Sequence, residues 1–198
     1  MPAVGKHRAP IIDAAIMHFR QQGYPGTGLN DIVKTSGAPK GSLYHYFPDG
    51  KPSIAVAAVE EAARRMAVTM KEIVDESDSA GDFLKGFGKT LGDWLKASGY
   101  RDGCPMTTVL LELCPEDRDI SKAGRTAYNL RIDGIREALE RDGISPSQSE
   151  DLAIVWLSAL NGALIHARVL KSTRPIETVA RLLTKALPAQ IAPKEHGG

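Results

Sequence analysis

Residues 29–47, LNDIVKTSGAPKGSLYHYF, constrain this chain more than any other stretch, because they ask for two short helices bent around one glycine. Leu29, Ile32 and Val33 fall at i, i+3 and i+4 and share one helical face, with Asn30, Asp31 and Lys34 on the other. That helix is expected to end at Ser36. Gly37 takes positive φ without a side-chain penalty, and Pro39 follows where a fixed φ and a missing N–H suit a turn or a helix start. In the second element Leu43 and Phe47 are i and i+4 and are expected to pack inward, leaving Lys40, Ser42, Tyr44, His45 and Tyr46 on its other faces. Solubility alone rarely spends so many aromatic and imidazole groups on one short helix. Lys, Ser and Tyr donors position phosphates, and hydrogen-bonding side chains near the start of such a helix read base edges. Gly41 fits the same purpose, since a helix without a side chain at that point can approach a groove closely.

A Gly-Ala-Pro stretch between two helices is also an ordinary surface turn. The upstream sequence favours the more specific reading. Residues 10–22 place Ile12, Ala15, Ile16 and Phe19 in one apolar stripe closed by Gly23, so three short helices can share a small core, as a helix-turn-helix domain requires.

The run GYPGTGLNDIVKTSGAPKGSLYHYFPDGK, with Gly23, Tyr24, Thr27, Ile32, Gly37, Leu43, Tyr44, Phe47 and a Lys opening the next helix, resembles the N-terminal DNA-binding domain of the TetR family of bacterial transcriptional regulators. The resemblance covers roughly the first quarter of the chain. One residue more than the common Phe-x-x-Lys spacing, together with DGCP at 102–105, is similar to the LmrA/YxaF-like branch. What it implies is an all-α, nine-helix fold: a three-helix DNA-binding domain over 1–51 and a larger helical effector-binding and dimerisation domain over 52–198. Carried onto matching positions, Thr27 touches a phosphate ahead of the second helix, and Lys40, Gly41, Ser42 and Tyr44 face the major groove. His45 and Tyr46 reach phosphates or flanking bases, and Lys51 binds a backbone phosphate. Gly28 stands where the family usually has a Ser or Thr; it is an acceptable cap but brings no hydroxyl.

Charge agrees with this layout. The whole chain is near neutral at +1, but residues 1–52 carry a net +3 and the remainder −2, and Lys6, His7 and Arg8 form a short basic arm. No segment reads as a signal peptide or a membrane span. The longest uncharged apolar stretch, residues 152–167, includes Ser158, Asn161 and His166 and reads as a buried helix. Two cysteines, Cys104 and Cys114, without a signal sequence point to the reducing cytoplasm. Cys104 precedes Pro105 at a helix cap, where the dipole favours thiolate, but the two thiols stand too far apart along one helix to bridge.

Helices are expected at 52–75, 79–98, 105–113, 117–142, 146–171 and 175–190. Ser145, Pro146 and Gln148 mark the start of the eighth, which is apolar almost all round and therefore needs cover on every side. A second subunit is the expected cover, through Trp156, Leu160 and Leu164 with Val179 and Leu183 of the ninth helix. Met66, Met70, Phe87, Trp94, Cys104, Met106, Leu110, Tyr128 and Trp156 offer the large adaptable side chains of a pocket for a small hydrophobic or aromatic effector. The function these readings imply is a repressor that binds double-stranded, palindromic operator DNA as a homodimer and is released by that effector. The alternative is an all-helical enzyme or interaction protein. No catalytic residue, metal ligand or cofactor is expected: GFGKTLG at 86–92 has Phe83 where a phosphate loop needs glycine, and HExxH, GxSxG and CxxC are absent.

Overall fold

The computed structural model describes residues 6–188, and the described residues form nine α-helices and no strand. They are α1 (Arg8–Gln22), α2 (Leu29–Ser36), α3 (Lys40–Tyr46), α4 (Lys51–Asp75), α5 (Ala80–Ala97), α6 (Pro105–Leu113), α7 (Arg118–Arg141), α8 (Pro146–Leu170) and α9 (Arg174–Ala186). Most boundaries fall within two residues of those read from the sequence. α1 starts two residues early because Pro10, in its first turn, forfeits no hydrogen bond there. The ninth helix ends at Ala186, and the last two residues of its expected span, 189 and 190, lie outside the described residues.

Packing divides the chain into two compact units. The first holds the chain up to Met66 together with Arg101–Leu130. Its core joins Ile11, Ala15 and Phe19 of α1, Ile32 of α2, Leu43 of α3, Ile54 and Val59 of α4, Met106 and Val109 of α6 and Ile120 of α7. α6 grips the end of α1: the Gly103 N–H donates to the Arg20 carbonyl at 2.9 Å, Arg20 pairs with Asp102 at 2.7 Å, and Glu112 accepts the Tyr24 N–H at 2.6 Å. Nearer the start of α1, Asp13 pairs with Arg65 of α4, whose guanidinium is shared with Glu61.

The second unit holds Ala67–Tyr100 and the chain from Arg131 on. Here α9 packs against both α5 and α8. Gly88 explains the close approach of α5: a Cβ there would stand 3.1 Å from Ala180 Cβ and 3.9 Å from the Trp156 ring, so only hydrogen fits comfortably. The glycines of GFGKTLG therefore serve helix packing inside α5, and Lys89 is bound to Asp93 at 2.6 Å.

α8 runs for 25 residues, longer than the uncharged stretch in it, and by length and composition alone it suffices to cross a membrane. Ala153, Trp156, Leu157, Leu160, Ala163 and Ala167 are instead buried in the second unit. Ser145 is its N-cap as expected, but the hydroxyl makes no cap hydrogen bond; the Ser145 carbonyl accepts Ser149 N–H at 2.8 Å.

Candidate functional site

The turn between α2 and α3 is built as its residues require. Gly37 adopts φ 63° at the end of α2, the left-handed conformation that a Cβ disfavours, and the Ser36 hydroxyl accepts the Ala38 N–H at 3.2 Å. Pro39 then starts α3, its carbonyl accepting the Ser42 N–H at 2.9 Å. At the other end of α2, Gly28 has no side chain to cap with, and the Asp31 carboxylate reaches back to accept the Gly28 N–H at 3.2 Å. One neighbour steadies α2 from α1: the His18 ring meets Thr35 Oγ1 at 2.8 Å and Gln22 Nε2 at 2.7 Å.

α3 has two distinct sides. Leu43 and, just past the helix, Phe47 are fully or almost fully buried, whereas Lys40, Gly41, Tyr44 and His45 are exposed and Ser42 and Tyr46 half-buried. Tyr46 leans on the core, and His45 packs edge-on to it with ring centres 5.0 Å apart. A Cβ at Gly41 would meet nothing within 4 Å, so nothing inside the protein demands glycine there. Arg8, at the start of α1, stacks its guanidinium over Phe47 at 5.7 Å and so lies beside the end of α3.

Two residues expected to touch phosphate are committed elsewhere. Thr27 is 1 % exposed, and its hydroxyl donates to the Gly23 carbonyl at 2.7 Å, closing the turn ahead of α2. Lys51 donates to the carbonyls of Tyr24 at 2.7 Å and Thr27 at 2.9 Å, with its ammonium over the Tyr24 ring. Burial lowers the Lys51 pKa against an opposing pull from the Glu112 carboxylate, and burial, with the Asp117 charge, raises that of the Tyr24 phenol. Both side chains thus hold the 23–28 loop. The sequence showed a polar residue at each position, but only the fold shows that the Thr27 hydroxyl and two of the three Lys51 donors are already used.

The residues expected to line an effector pocket separate into the two units. Met106 and Leu110 belong to the core of the first, with Met66, Cys104 and Tyr128 packed against it. Cys104 and Cys114 cap opposite ends of α6 and are free thiols; the Cys104 carbonyl accepts the Thr108 hydroxyl, and Cys114 Sγ accepts that of Ser121. Met70, Phe87 and Trp156 are buried in the second unit, whereas Trp94 is 49 % exposed on α5.

Of the residues expected to face a second subunit, Trp156 and Leu160 are buried inside their own unit, at 1 % and 0 % exposure, and offer no surface to another copy. Leu164, Val179 and Leu183 are half-buried. The apolar surface that α8 leaves open is instead Ile154, Val155, Ile165, Val169 and Leu170, joined by Leu182 of α9. Between α8 and α9 runs an open groove of about 660 Å³ lined by Gly162, Ala163, His166, Leu170, Pro175 and Val179. Sequence periodicity had no means of phasing this helix, because α8 has no polar stripe to mark its outer side.

Two family models match the chain. Residues 11–58 match the bacterial regulatory proteins of the tetR family, and residues 80–182 match the C-terminal domain of LmrA/YxaF-like transcriptional regulators. The HTH-type transcriptional regulator LmrA of Bacillus subtilis is 30 % identical over 172 residues, which cover 87 % of this chain and 92 % of that protein. An uncharacterized HTH-type regulator of Mycobacterium tuberculosis is 30 % identical over 193 residues, 94 % of this chain and 96 % of that protein. Among solved structures, the reduced form of Escherichia coli NemR superposes with a TM-score of 0.81 at 22 % identity, covering 94 % of this chain and 98 % of that one. A cysteine mutant of the TetR family regulator CifR, in complex with a 26 bp double-strand operator DNA, superposes with a TM-score of 0.76 at 19 % identity, covering 91 % and 96 %.

Proposed function

The chain belongs to the TetR family of bacterial transcriptional regulators, in its LmrA/YxaF-like branch, and from that membership we propose that it is a cytoplasmic repressor which binds a palindromic operator as a homodimer and leaves it when a small effector binds. The observation that carries the reading is the two-sidedness of α3: Leu43 is wholly buried while Lys40, Gly41, Tyr44 and His45 stand exposed beside one another. In this reading Lys40, Gly41, Ser42 and Tyr44 face the major groove, His45 and Tyr46 reach phosphates or flanking bases, and Lys51 and Thr27 set the loop that presents them. Backbone phosphate is met by Lys40 and by the basic start of α1, where Arg8 stands against Phe47.

The roles divide at residue 51, with 1–51 reading DNA and 52–198 binding effector and partner. One α3 reads only a few base pairs, so a second copy about 34–36 Å away is needed to read the next turn of the duplex. The open α8 surface of Ile154, Val155, Ile165 and Val169, with the adjoining α9 groove, supports a four-helix interface between copies. α4 supports the switch: it is one unbroken helix with Lys51, clamp of the reading loop, at its start and Met70 near its end. An effector that binds better to the DNA-free arrangement moves the far end of α4 and, through Lys51, the reading heads.

The test is binding to the palindrome nearest the chain's own coding region. Steeply salt-dependent binding, lost in Tyr44→Ala with the fold intact, is expected. Equal binding by Tyr44→Ala, or no preference over random DNA, would overturn the reading.

A further inference from the structure

We propose that Arg131 is the anchor for an anionic effector, one that presents a carboxylate on a small apolar or aromatic body. The proposal rests on the effector reading above and names the chemistry that reading leaves open.

Arg131 lies on α7 and is 2 % exposed, among the largest fully buried side chains of the chain. Its Nε is buried without a hydrogen-bond partner, and no ion pair or hydrogen bond reaches its guanidinium from any described residue. The other arginines further along α7 show the contrast. Arg136 pairs with Glu140 at 2.9 Å and with Asp133, and Arg141 donates to the carbonyls of Val74 at 2.9 Å and Ser77 at 2.8 Å. Neighbours of Arg131 on the inner face of its helix bring no acceptor: Ala127, Ile135 and Ala138 are buried, and Gly134 abuts Met70, whose Cε would stand 3.1 Å from a Cβ placed there.

A buried charge left unpaired weighs heavily against the fold, and an apolar side chain of similar size would be more stable there. A second copy of the chain cannot supply the missing carboxylate, because a side chain at 2 % exposure is out of its reach. What remains is a small ligand whose planar oxyanion matches the fork of the guanidinium through two parallel N–H···O bonds. The same unit holds another stranded donor, the Trp156 indole N–H, buried with no acceptor. That unit also holds a buried acceptor without a donor, Asn161 Oδ1, and the buried apolar side chains of Met70 and Phe87.

The experiment compares benzoate with benzamide, its neutral counterpart of the same size, at constant ionic strength on the purified full chain, by calorimetry and thermal shift. Benzoate is expected to bind at least tenfold more tightly. In Arg131→Met the preference should vanish, while the ligand-free melting temperature stays level or rises. Equal binding of the two probes, no binding of benzoate, or unchanged benzoate binding by Arg131→Met would each overturn the proposal. So would a ligand-free Arg131→Met that melts well below the parent, which would make the arginine a structural group. The two-probe comparison needs no variant, and an Arg131→Met that fails to fold counts with the last of these outcomes. Because binding is read without DNA, a chain that takes benzoate through Arg131 yet holds its operator fails only the repressor reading, and one released solely by neutral compounds fails only this one.

Discussion

The Lys51 ammonium stands 4.2 Å from the centre of the Tyr24 ring and donates to the Tyr24 carbonyl at 2.7 Å. With the second bond to Thr27, this one side chain ties the first turn of α4 to the loop that launches α2. Charged donors on buried carbonyls are worth about 1.5–3 kcal/mol each, and part of that is lost when the donor is removed. Lys51→Met is therefore expected to lower stability by about 1–3 kcal/mol in denaturant titration. It should leave the salt dependence of operator binding nearly unaltered. A lost phosphate contact would instead reduce the slope of log K against log salt by about one.

Gly41 separates fold from function from the opposite direction. The space around its missing Cβ is empty, and alanine is the better helix former by about 1 kcal/mol. Gly41→Ala should melt no lower than the parent. Operator affinity should nevertheless fall by about tenfold or more, as a methyl group intrudes where the backbone approaches the groove. Undiminished affinity would remove Gly41 from the reading surface.

Glu61 gives the first unit a pH dependence. Hydrogen bonds from Arg64 and Arg65 hold its carboxyl down at about 2, well below the ordinary carboxylate value of 4.5, and Arg65 passes the link on to Asp13 of α1. A folded-state pKa below the unfolded one means that the stabilisation is complete above about pH 4.5 and is lost as the pH falls toward 2. Glu61→Gln should thus cost stability at pH 7, and parent and variant should converge as the solution is acidified through that window. The pairs are partly exposed, so the difference at pH 7 should be modest, about 1 kcal/mol or less, and smaller still in high salt.

How far the sequence could be read follows from where its patterns were strong. Gly37 and the Leu43, Phe47 pair gave α2, the turn and the buried side of α3, because glycine geometry and helical spacing act locally. The bonds of Thr27 and Lys51 to the Gly23 and Tyr24 carbonyls were not legible, since a polar side chain bonded to a backbone carbonyl looks the same in sequence as one facing water. Arg131 was not singled out either: by residue type alone it looks like exposed Arg125 and half-buried Arg136 in the run RTAYNLRIDGIRE. Its helix phase, one turn from Ala127 and Ile135, was the available signal.

α8 supplies the last expectation. Its inner side carries Trp156, fitted against Gly88, and its outer side carries Ile154, Val155, Ile165 and Val169 around Gly162, whose missing Cβ faces open space. The two sides should answer differently to substitution. Trp156→Ala removes a large buried ring and should cost about 3–5 kcal/mol of stability, close to what unfolds a chain of this size. Val169→Lys or Gly162→Leu changes only the exposed side, so helix content and the melting of the isolated subunit should hold. Sedimentation is expected to show a dimer for the parent and monomer for these variants, with an apparent dissociation constant at least about tenfold higher. Operator binding should weaken in step, because two half-sites are held only by a linked pair of α3 helices. A Val169→Lys protein that remains a full dimer would move the interface away from this face of α8.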